Sequence, residues 1–345
     1  MLDKPQEIRE GEQLDWGKLE VYLRENVEQL AGDFSVQQFH GGHANLTYQI
    51  RFGDEEYVLR RPPFGKLAPG THSMKREYRV LSKLYEFYPQ APRAFHLCED
   101  ADIVGAEFVF MERKNGVIIR KKLPDCFRGM DRVHERLTIA LVSALSDLHN
   151  IDIEAAELQH LGKPEGFLER QFAGWSKRWA HSKTEENEAM DQTLKLLQED
   201  IPTSQKVSVI HNDMKFDNCQ FQADNPDLVT AVFDWDMCTL GDPLVDFGSM
   251  LSYWPDDAFK KLKGLPVILE DGFPDKDFVK KFYREKTKLN LDRIAWYESF
   301  SFMKTAVIVQ QLYKRFYDGE TKDPRMGAFG QTAISLSKLA LSKLS

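Results

Sequence analysis

The sequence predicts an α+β protein of two lobes, in which an N-terminal lobe with an antiparallel sheet is followed by a largely helical C-terminal lobe. Short segments between residues 34 and 60, and again at 107–111, have the apolar and β-branched composition of strands. In the second half of the chain, apolar residues recur at helical spacing in several long segments. The 345 residues, 42% of them apolar, are enough to bury the core of two lobes. We place the lobes at 1–112 and 113–345, with a hinge at about 111–116.

Composition and charge exclude several classes of protein. The chain has 46 basic and 54 acidic residues and a net charge of −8, so it lacks the excess of Lys and Arg on which nucleic-acid binding depends. It has no apolar run of about 18 residues that would span a membrane, and no secretory signal is expected at its N-terminus. The cysteines show no C-x-x-C spacing, so reduced thiols in a cytoplasmic protein are expected: Cys98, Cys126, Cys219 and Cys238.

The first lobe is predicted to begin with an amphipathic helix over 14–30, followed by strands at Phe34–Phe39 and Tyr48–Phe52. A glycine-bearing turn joins the two strands. Glycine lets a backbone approach a ligand closely, and successive N–H groups of such a turn can cradle a phosphate. Most turns of this kind are only connections, so this one indicates phosphate binding only together with other motifs. Its candidate ligand-binding residues are Gly41, Gly42, His43 and Asn45.

A third strand is predicted over 56–60 and ends in the cation Arg60, and a helix over 74–87 carries Glu77 near its start. The Glu77 carboxylate is a candidate partner for the Arg60 guanidinium, although most helical glutamates are simply solvated. A further apolar strand ends at Met111, and the residues after it are polar and include a glycine. This change of composition is the reason for placing the hinge there.

The second lobe is predicted to be largely helical. Asp131 is the expected N-cap of a helix that ends at His149, which is itself expected to be a satisfied histidine at a helix end. Trp175 and Trp179 share one face of the next helix, where packing is the default expectation. The predicted helices after the first are 167–181, 187–197, 278–287, 294–317 and 332–344.

Two apolar runs in this lobe are each followed by polar residues, as expected of strands that deliver side chains to the edge of a sheet. The run Val207–Ile210 precedes His211, Asp213, Lys215 and Asn218, and the run Val229–Phe233 precedes Asp234 and Asp236. We expect the two strand ends to bring carboxylates and an amide to one point. The spacing H-x-D-x-K-x-x-N matches the catalytic loop of protein kinases. Capping of local loops by the aspartates is the alternative, which the full set of motifs disfavours.

Taken together, five motifs in this order resemble the aminoglycoside phosphotransferase and choline kinase-like family of small-molecule kinases, which has the bilobal protein-kinase-like fold. The resemblance covers about residues 14–317 and is greatest to the kinase-like domain of acyl-CoA dehydrogenase family members and its free-standing bacterial relatives. The motifs are G-G-H-A-N-L-T-Y from Gly41, Y-V-L-R-R-P-P-F-G-K-L from Tyr57, R-E-Y-R-V-L from Arg76, H-N-D-M-K-F-D-N from His211 and F-D-W-D-M-C-T-L-G-D-P-L-V-D-F-G from Phe233.

This resemblance implies roles for the polar residues that follow the two runs. Asp213 would be the catalytic base that orients the acceptor hydroxyl, with His211 in the same catalytic motif. Lys215 would steady the transferred phosphoryl group. Asn218 and Asp234 would hold Mg²⁺ between them.

The same resemblance implies that ATP is the phosphoryl donor. Arg60 stands where most kinases have lysine, and it would bind the inner phosphates while Glu77 orients it. Backbone N–H groups of the turn at 41–45 would cover the phosphates. The adenine would pair with backbone groups at about Met111.

Asp246 begins a literal D-F-G sequence, the signature whose aspartate binds magnesium in protein kinases. Asp234 is the better metal ligand, because it comes directly after an apolar run and soon after Asn218. The resemblance implies instead that Asp246 is a structural brace for the catalytic loop. Asp236 would contact a second metal or the acceptor.

The predicted function is therefore an ATP-dependent phosphotransferase acting on a hydroxyl acceptor, and a hydroxy acid or hydroxyacyl-CoA is the acceptor that the resemblance favours. Cations at Arg170, Lys177 and Arg178 also favour an anionic acceptor. The alternatives are a kinase of aminoglycosides, other amino alcohols or sugars, and a pseudokinase that binds a nucleotide or acyl-CoA without turnover. A two-metal phosphohydrolase would need more clustered His and Asp ligands than this sequence supplies.

Overall fold

A five-stranded antiparallel sheet forms the N-terminal lobe. The computed structural model describes residues 4–40, 45–65, 73–262, 264, 265, 268 and 270–344. The strand order in the sheet is β1-β2-β3-β5-β4, so the strand that carries Arg60 is central. The strands are β1 (Phe34–Phe39), β2 (Leu46–Phe52), β3 (Glu55–Arg61), β4 (Ala94–Cys98) and β5 (Phe108–Glu112), and the helices of this lobe are α1 (Trp16–Asn26), α2 (Met74–Leu84) and α3 (Ala101–Val104).

The two faces of this sheet are buried in different ways. One face packs with Leu19 and Leu23 of α1 in a small core of its own, which includes Tyr48 and Phe110. The other face contributes Val109 and Met111 to a larger core that also contains α2 and continues into the C-terminal lobe. Since α2 belongs to the core shared by the lobes, Glu77 on this helix is held at the junction between them.

The C-terminal lobe is largely helical, as the sequence predicts. Its longest helix, α10 (Ile294–Tyr317), packs against α5, α6, α7 and α12 and forms the centre of the lobe. The other helices are α4 (Val133–His149), α5 (Phe167–Ser182), α6 (Glu188–Glu199), α7 (Pro243–Ser252), α8 (Asp257–Lys260), α9 (Lys276–Thr287), α11 (Pro324–Gly327) and α12 (Phe329–Ser342). Among the described residues, none of the helices is long and apolar enough to span a bilayer.

Two small antiparallel sheets carry the polar stretches of this lobe. One consists of β6 (Val117–Ile118), β8 (Cys219–Gln222) and β9 (Asn225–Val232), in that order. The other pairs β7 (Ser208–Ile210) with β10 (Thr239–Gly241). The predicted runs at 207–210 and 229–233 thus correspond to β7 and to the end of β9, and each strand ends just before candidate catalytic residues.

The starts of α1 and α4 show how the residue before a helix sets its first turn. The Asp15 carboxylate accepts a hydrogen bond from the Lys18 N–H at 3.0 Å and caps α1, which therefore begins at Trp16. The helix ends at Asn26, inside the predicted range 14–30. The prediction that Asp131 is the N-cap of α4 was wrong. The residue before α4 is Arg132, in the left-handed conformation at φ 47°, and it makes no side-chain cap.

Candidate active site

The end of β9 is joined by hydrogen bonds to both sides of the loop that follows β7. The Phe233 N–H donates to the Asn218 carbonyl at 2.9 Å. The Phe233 carbonyl accepts from His211 Nε2 at 2.8 Å, and His211 Nδ1 accepts from the Asp213 N–H at 3.2 Å. These contacts bring Asp213, Asn218 and Asp234 together, although they lie on different strand connections.

The His211 ring is fully buried and both of its nitrogens contact backbone groups of the site. Nε2 donates its proton to a carbonyl and Nδ1 accepts from an N–H, which corresponds to the neutral imidazole with its proton on Nε2. A ring in this position cannot reach a bound substrate. The sequence groups His211 with the catalytic residues, and the structure places it behind them.

Asp213 is half-buried and held by two neighbours on its own loop. Asn218 Nδ2 donates to the Asp213 carboxylate and to its backbone carbonyl, each at 2.8 Å. Lys215 Nζ donates to the same carboxylate oxygen, Asp213 Oδ2, and lies 3.8 Å from Asp217 Oδ1. Burial would lower the pKa of Lys215, but Asp213 and Asp217 outweigh it and raise that pKa above its ordinary value.

Arg60 links the N-terminal sheet to the C-terminal lobe through two carboxylates. Its Nη1 lies 2.5 Å from Glu77 Oε1, and its Nη2 lies 2.6 Å from Asp234 Oδ1. The predicted partnership of Arg60 and Glu77 is therefore present. Burial would raise the pKa of Asp234, but the Arg60 guanidinium outweighs burial and holds this pKa below its usual range.

The pKa of Glu77 shifts in the opposite direction from that of Asp234, because the Glu77 side chain is only 1% exposed. Burial raises the pKa of Glu77 to about 7, Arg60 opposes the shift, and Asp234 and Asp236 add to it. Two further carboxylates therefore compete with Glu77 for one guanidinium. Asp236 is partly buried, and its backbone carbonyl lies 3.4 Å from Arg76 Nη1.

A cavity of about 290 Å³ lies beside this ion pair, between the sheet and the C-terminal lobe. Such a volume is at the lower end of the range for small-molecule sites. Its lining includes the predicted site residues Asn45, Arg60, Glu77, Met111, Asn218 and Asp234. Gly41, Gly42 and His43 lie outside the described residues, so their predicted role stays a prediction.

The donor atoms at the cavity suit a hard cation. Asn218 and Asp234 each offer a side-chain oxygen. The Asn218 Nδ2 donates to Asp213, so the Asn218 Oδ1 points away from Asp213. Within the part of the chain that the structure describes, no group of three or more His, Cys, Asp or Glu side chains gathers as a metal site. Magnesium does not need one, since it is usually bound by one or two protein oxygens together with water and substrate phosphates.

Asp246 lies at the base of the catalytic loop and is completely buried. Its carboxylate accepts the backbone N–H of His211 at 2.6 Å and that of Asn212 at 2.9 Å, and it contacts His149 Nε2 at 3.2 Å. Asn212 needs this support because its φ is +69°, in the left-handed region. The geometry is that of a brace for the loop.

Two residues of the site have no recognisable motif in the sequence. Gln220 lines the cavity and is 0% exposed, yet neither polar atom of its amide has a hydrogen-bond partner among the described residues. Lys304, on α10, reaches the Asn212 carbonyl from a helix almost a hundred residues later. Gln220 could have been noticed in the sequence as a polar residue within a strand. Lys304 could have been noticed as a lysine on the apolar face of a predicted helix.

The fold and the site define a bilobal kinase-like phosphotransferase, and comparison with known proteins gives the family. Residues 35–264 match the model of the phosphotransferase enzyme family, and the chain belongs to that family. It is 30% identical over 329 residues to mouse acyl-CoA dehydrogenase family member 10, covering 93% of this chain and 30% of that protein. It is 29% identical to rat acyl-CoA dehydrogenase family member 11, covering 97% of this chain and 45% of that protein. The chain thus spans less than half of these curated relatives.

Solved structures share the fold over nearly the whole chain. A Ralstonia eutropha crystal structure, provisionally named an aminoglycoside phosphotransferase, has a TM-score of 0.81 and 29% identity, covering 96% of this chain and 98% of that one. Choline kinase from Cryptosporidium parvum has a TM-score of 0.63 at 12% identity, covering 95% of each chain. The predicted bilobal α+β fold and the family resemblance are both confirmed.

Proposed function

We propose that this protein is a Mg-ATP-dependent kinase that phosphorylates a hydroxyl group of a small molecule. The observation that carries the proposal is the junction of Asp213, Asn218 and Asp234 beside a cavity bordered by a buried arginine. A protein that only binds a nucleotide has no need of a carboxylate held in place for an acceptor proton. Family membership and kinase-like neighbours support the same reaction class.

Asp213 is the group that receives the acceptor. Asn218 and Lys215 fix its carboxylate, so an acceptor O–H donating to it is held for in-line attack on the γ-phosphoryl group. His211 and Asp246 act as positioning residues, because they accept the backbone N–H groups of residues 211–213 and lie too deep to touch the acceptor.

Arg60 and Lys215 supply the positive charge that phosphoryl transfer requires. Arg60 is anchored by Glu77 and borders the cavity, where it would contact the inner phosphates of ATP. Asn218 Oδ1 and Asp234 are the oxygens that would hold magnesium, which when bound neutralises charge on the phosphates. The backbone beside Met111 would bind the adenine. Asp236, close enough to influence Glu77 and Arg60, would adjust charge at the phosphate end of the cavity.

We propose a hydroxy acid or a hydroxyacyl-CoA as the acceptor. The similarity to acyl-CoA dehydrogenase family members supports this class, since it extends over almost the whole of this chain. Neighbours at 13% identity or less include complexes with kanamycin or spectinomycin, so an aminoglycoside is the competing acceptor. The two classes differ in charge, which makes them easy to separate.

An ADP-formation screen over hydroxy acids, hydroxyacyl-CoAs, choline and aminoglycosides tests the proposal. The Asp213→Asn protein is expected to lose turnover by about 10³-fold or more while retaining Mg-ATP affinity, measured by calorimetry. Asp224→Asn is the matched control, because it removes the same charge from an exposed turn after β8. Unchanged turnover of Asp213→Asn would refute the base assignment.

Turnover of aminoglycosides alone would refute the anionic acceptor. ATP binding without ADP formation for every acceptor would instead favour the pseudokinase alternative.

A further inference from the structure

Lys304 is a buried lysine beside the catalytic loop, and the reaction described above gives it no role. Its side chain, on α10, is 9% exposed. Its Nζ lies 3.3 Å from the Asn212 carbonyl, and no carboxylate of the described residues forms an ion pair with it. An ammonium group has three donors and is costly to bury without an anionic partner. One long hydrogen bond to a neutral carbonyl leaves most of that cost uncompensated.

Trp175 lies next to Lys304 and carries a second cation. Lys304 Nζ is 5.7 Å from the centroid of the Trp175 ring, and the Arg178 guanidinium carbon is 4.5 Å from it. Both distances are within the range of cation–π contact. Arg178 also forms no ion pair with a carboxylate in the described part of the chain. Two cations that would repel each other are thus held on one indole ring.

The Trp175 indole adds an unused hydrogen-bond donor to these charges. Trp175 is 8% exposed, and its Nε1–H has no acceptor among the residues that the structure describes. Buried indole N–H groups usually find a partner, and leaving one unpaired costs about 1–3 kcal/mol. An oxygen of an anionic ligand would satisfy this donor and both cations.

This cluster adjoins the catalytic base. Burial lowers the pKa of Lys304, while the nearby charges of Asp213 and Asp246 oppose the shift and those of Lys215 and Arg178 add to it. Lys304 Nζ contacts the carbonyl of Asn212, the residue directly before Asp213, so its charge lies within electrostatic reach of Asp213. A ligand bound at the cluster would have its hydroxyl close to the group that activates it.

We propose that Lys304, Arg178 and Trp175 form the subsite that binds an anionic group of the acceptor. This inference rests on the proposed kinase function and specifies the acceptor. The anionic group is either the carboxylate of a hydroxy acid or a phosphate of a coenzyme A thioester. The charges of Lys304 and Arg178 would also repel a polycationic acceptor, which supplies the specificity of the site.

The other basic residues of α5 do not share this arrangement. The Arg170 guanidinium donates to the carbonyls of Lys163 and Glu165, so it is used to hold the loop before the helix. Lys177 is exposed, as Arg178 is, but only Arg178 makes a cation–π contact with Trp175 among the described residues. Of the three cations that favoured an anionic acceptor in the sequence, Arg178 alone belongs to the subsite.

Two matched pairs of acceptors test the subsite. The first pair is 3-hydroxybutyrate and 3-hydroxybutyramide, and the second is 3-hydroxybutyryl-CoA and 3-hydroxybutyryl-pantetheine, which lacks the coenzyme phosphates. One of these two pairs is expected to bind to the protein. In the Lys304→Met and Arg178→Gln proteins, the KM for the charged member of that pair is expected to rise at least about tenfold. The KM values for its uncharged member and for ATP are expected to change less than about twofold.

The control variants separate a lost charge from a disturbed fold. Lys177→Met removes one charge from the same helix outside the cluster, and its KM values are expected to match those of the wild type. Lys304→Arg keeps the cation and is expected to restore most of the affinity. Equal losses on charged and uncharged acceptors, or a loss of kcat alone in Lys304→Met, would show that Lys304 only supports the Asn212 carbonyl, and would overturn the proposal.

Binding without turnover distinguishes this inference from the kinase proposal. At constant ionic strength, the charged acceptors are expected to raise the Tm of the wild type and not of Lys304→Met, because a ligand stabilises the folded state that binds it. A selective Tm shift without ADP formation would retain the subsite and refute the kinase function. Turnover that discriminates neither pair by charge, or the absence of any Tm shift and turnover with all four probes, would refute the subsite.

Discussion

Replacing Asp246 by asparagine tests whether this residue braces the catalytic loop or binds the metal. Asparagine has almost the same shape, but it is neutral and presents an NH₂ group in place of one carboxylate oxygen. In the folded protein that group would face either the backbone N–H of His211 or that of Asn212. A donor would then meet a donor, and His149 would lose the negative charge that its ring contacts.

The magnitude follows from the contacts that Asp246 makes. Hydrogen bonds to a charged group contribute about 1.5–3 kcal/mol each, and leaving a buried donor without its acceptor costs about 1–3 kcal/mol. At least one bond is lost and the others lose their charge, so we expect a loss of about 3–5 kcal/mol in the free energy of unfolding. For a chain of 345 residues, with an unfolding entropy of about 2.1 cal/mol/K per residue, this lowers Tm by about 5 °C.

This penalty should depend on pH. Burial would raise the pKa of Asp246, but the hydrogen bonds from the His149 ring and from the His211 backbone N–H outweigh it and lower that pKa. A carboxyl whose pKa is lowered in the folded state stabilises the protein above its unfolded pKa of about 3.9 and loses that contribution as the pH falls further. The difference between wild type and Asp246→Asn should therefore be full at pH 7 and shrink below about pH 4.

Urea unfolding at pH 7, together with magnesium titrations of ATP binding, measures the two effects separately. Asp246→Asn is expected to be less stable and to have a lower kcat, with a magnesium dependence close to that of the wild type. The reasoning would be refuted by a stable Asp246→Asn protein that needs much more magnesium, because that result would make Asp246 the metal ligand.

Three other substitutions test the remaining parts of the site. Asp234→Asn should lower kcat/KM for ATP by about 10²-fold or more and raise the magnesium concentration needed for half-maximal activity, because it removes a proposed metal-binding oxygen and the charge facing Arg60. Glu77→Gln should remove a pH dependence of stability: the pKa of Glu77 is raised to about 7, so its contribution is full below about pH 4.3 and is lost as the pH rises to about 7. Gln220→Leu should raise the free energy of unfolding by about 1–3 kcal/mol, because it removes two buried polar atoms without partners.

For each of these substitutions, one experimental result would contradict the prediction. Steady-state kinetics that leave the magnesium dependence of Asp234→Asn unchanged would exclude it as a ligand. Urea unfolding curves at pH 5 and 8 that shift equally in wild type and Glu77→Gln would contradict the raised pKa. Gln222→Leu is the control for Gln220, because the Gln222 amide is partly exposed and already bonded to Asp224, so no gain is expected from it. Destabilisation of Gln220→Leu would show that its amide is satisfied.

Much of the site was accessible from the sequence because its residues follow strands at fixed spacing. Once β7 ends at Ile210, covalent geometry keeps Asp213 and Asn218 within one short loop, and the motif predicts both. The Arg60 and Glu77 pair was also predicted, because the resemblance to kinases implies a glutamate on this helix as the partner of the cation that ends the third strand. These assignments depend on local order along the chain, which a motif records.

Other features depend on packing between distant segments. No pattern within α10 indicates that Lys304 reaches Asn212, or that it shares the Trp175 ring with Arg178 from α5. The Asp131 prediction failed as well, because α4 begins one residue later than that cap requires, after Arg132 in the left-handed conformation. The sequence by itself determined the class of fold, and it predicted the reaction class and the loop residues that we propose to serve it. Only the tertiary structure decided which charges meet across helices, because burial and pairing depend on the whole packed chain.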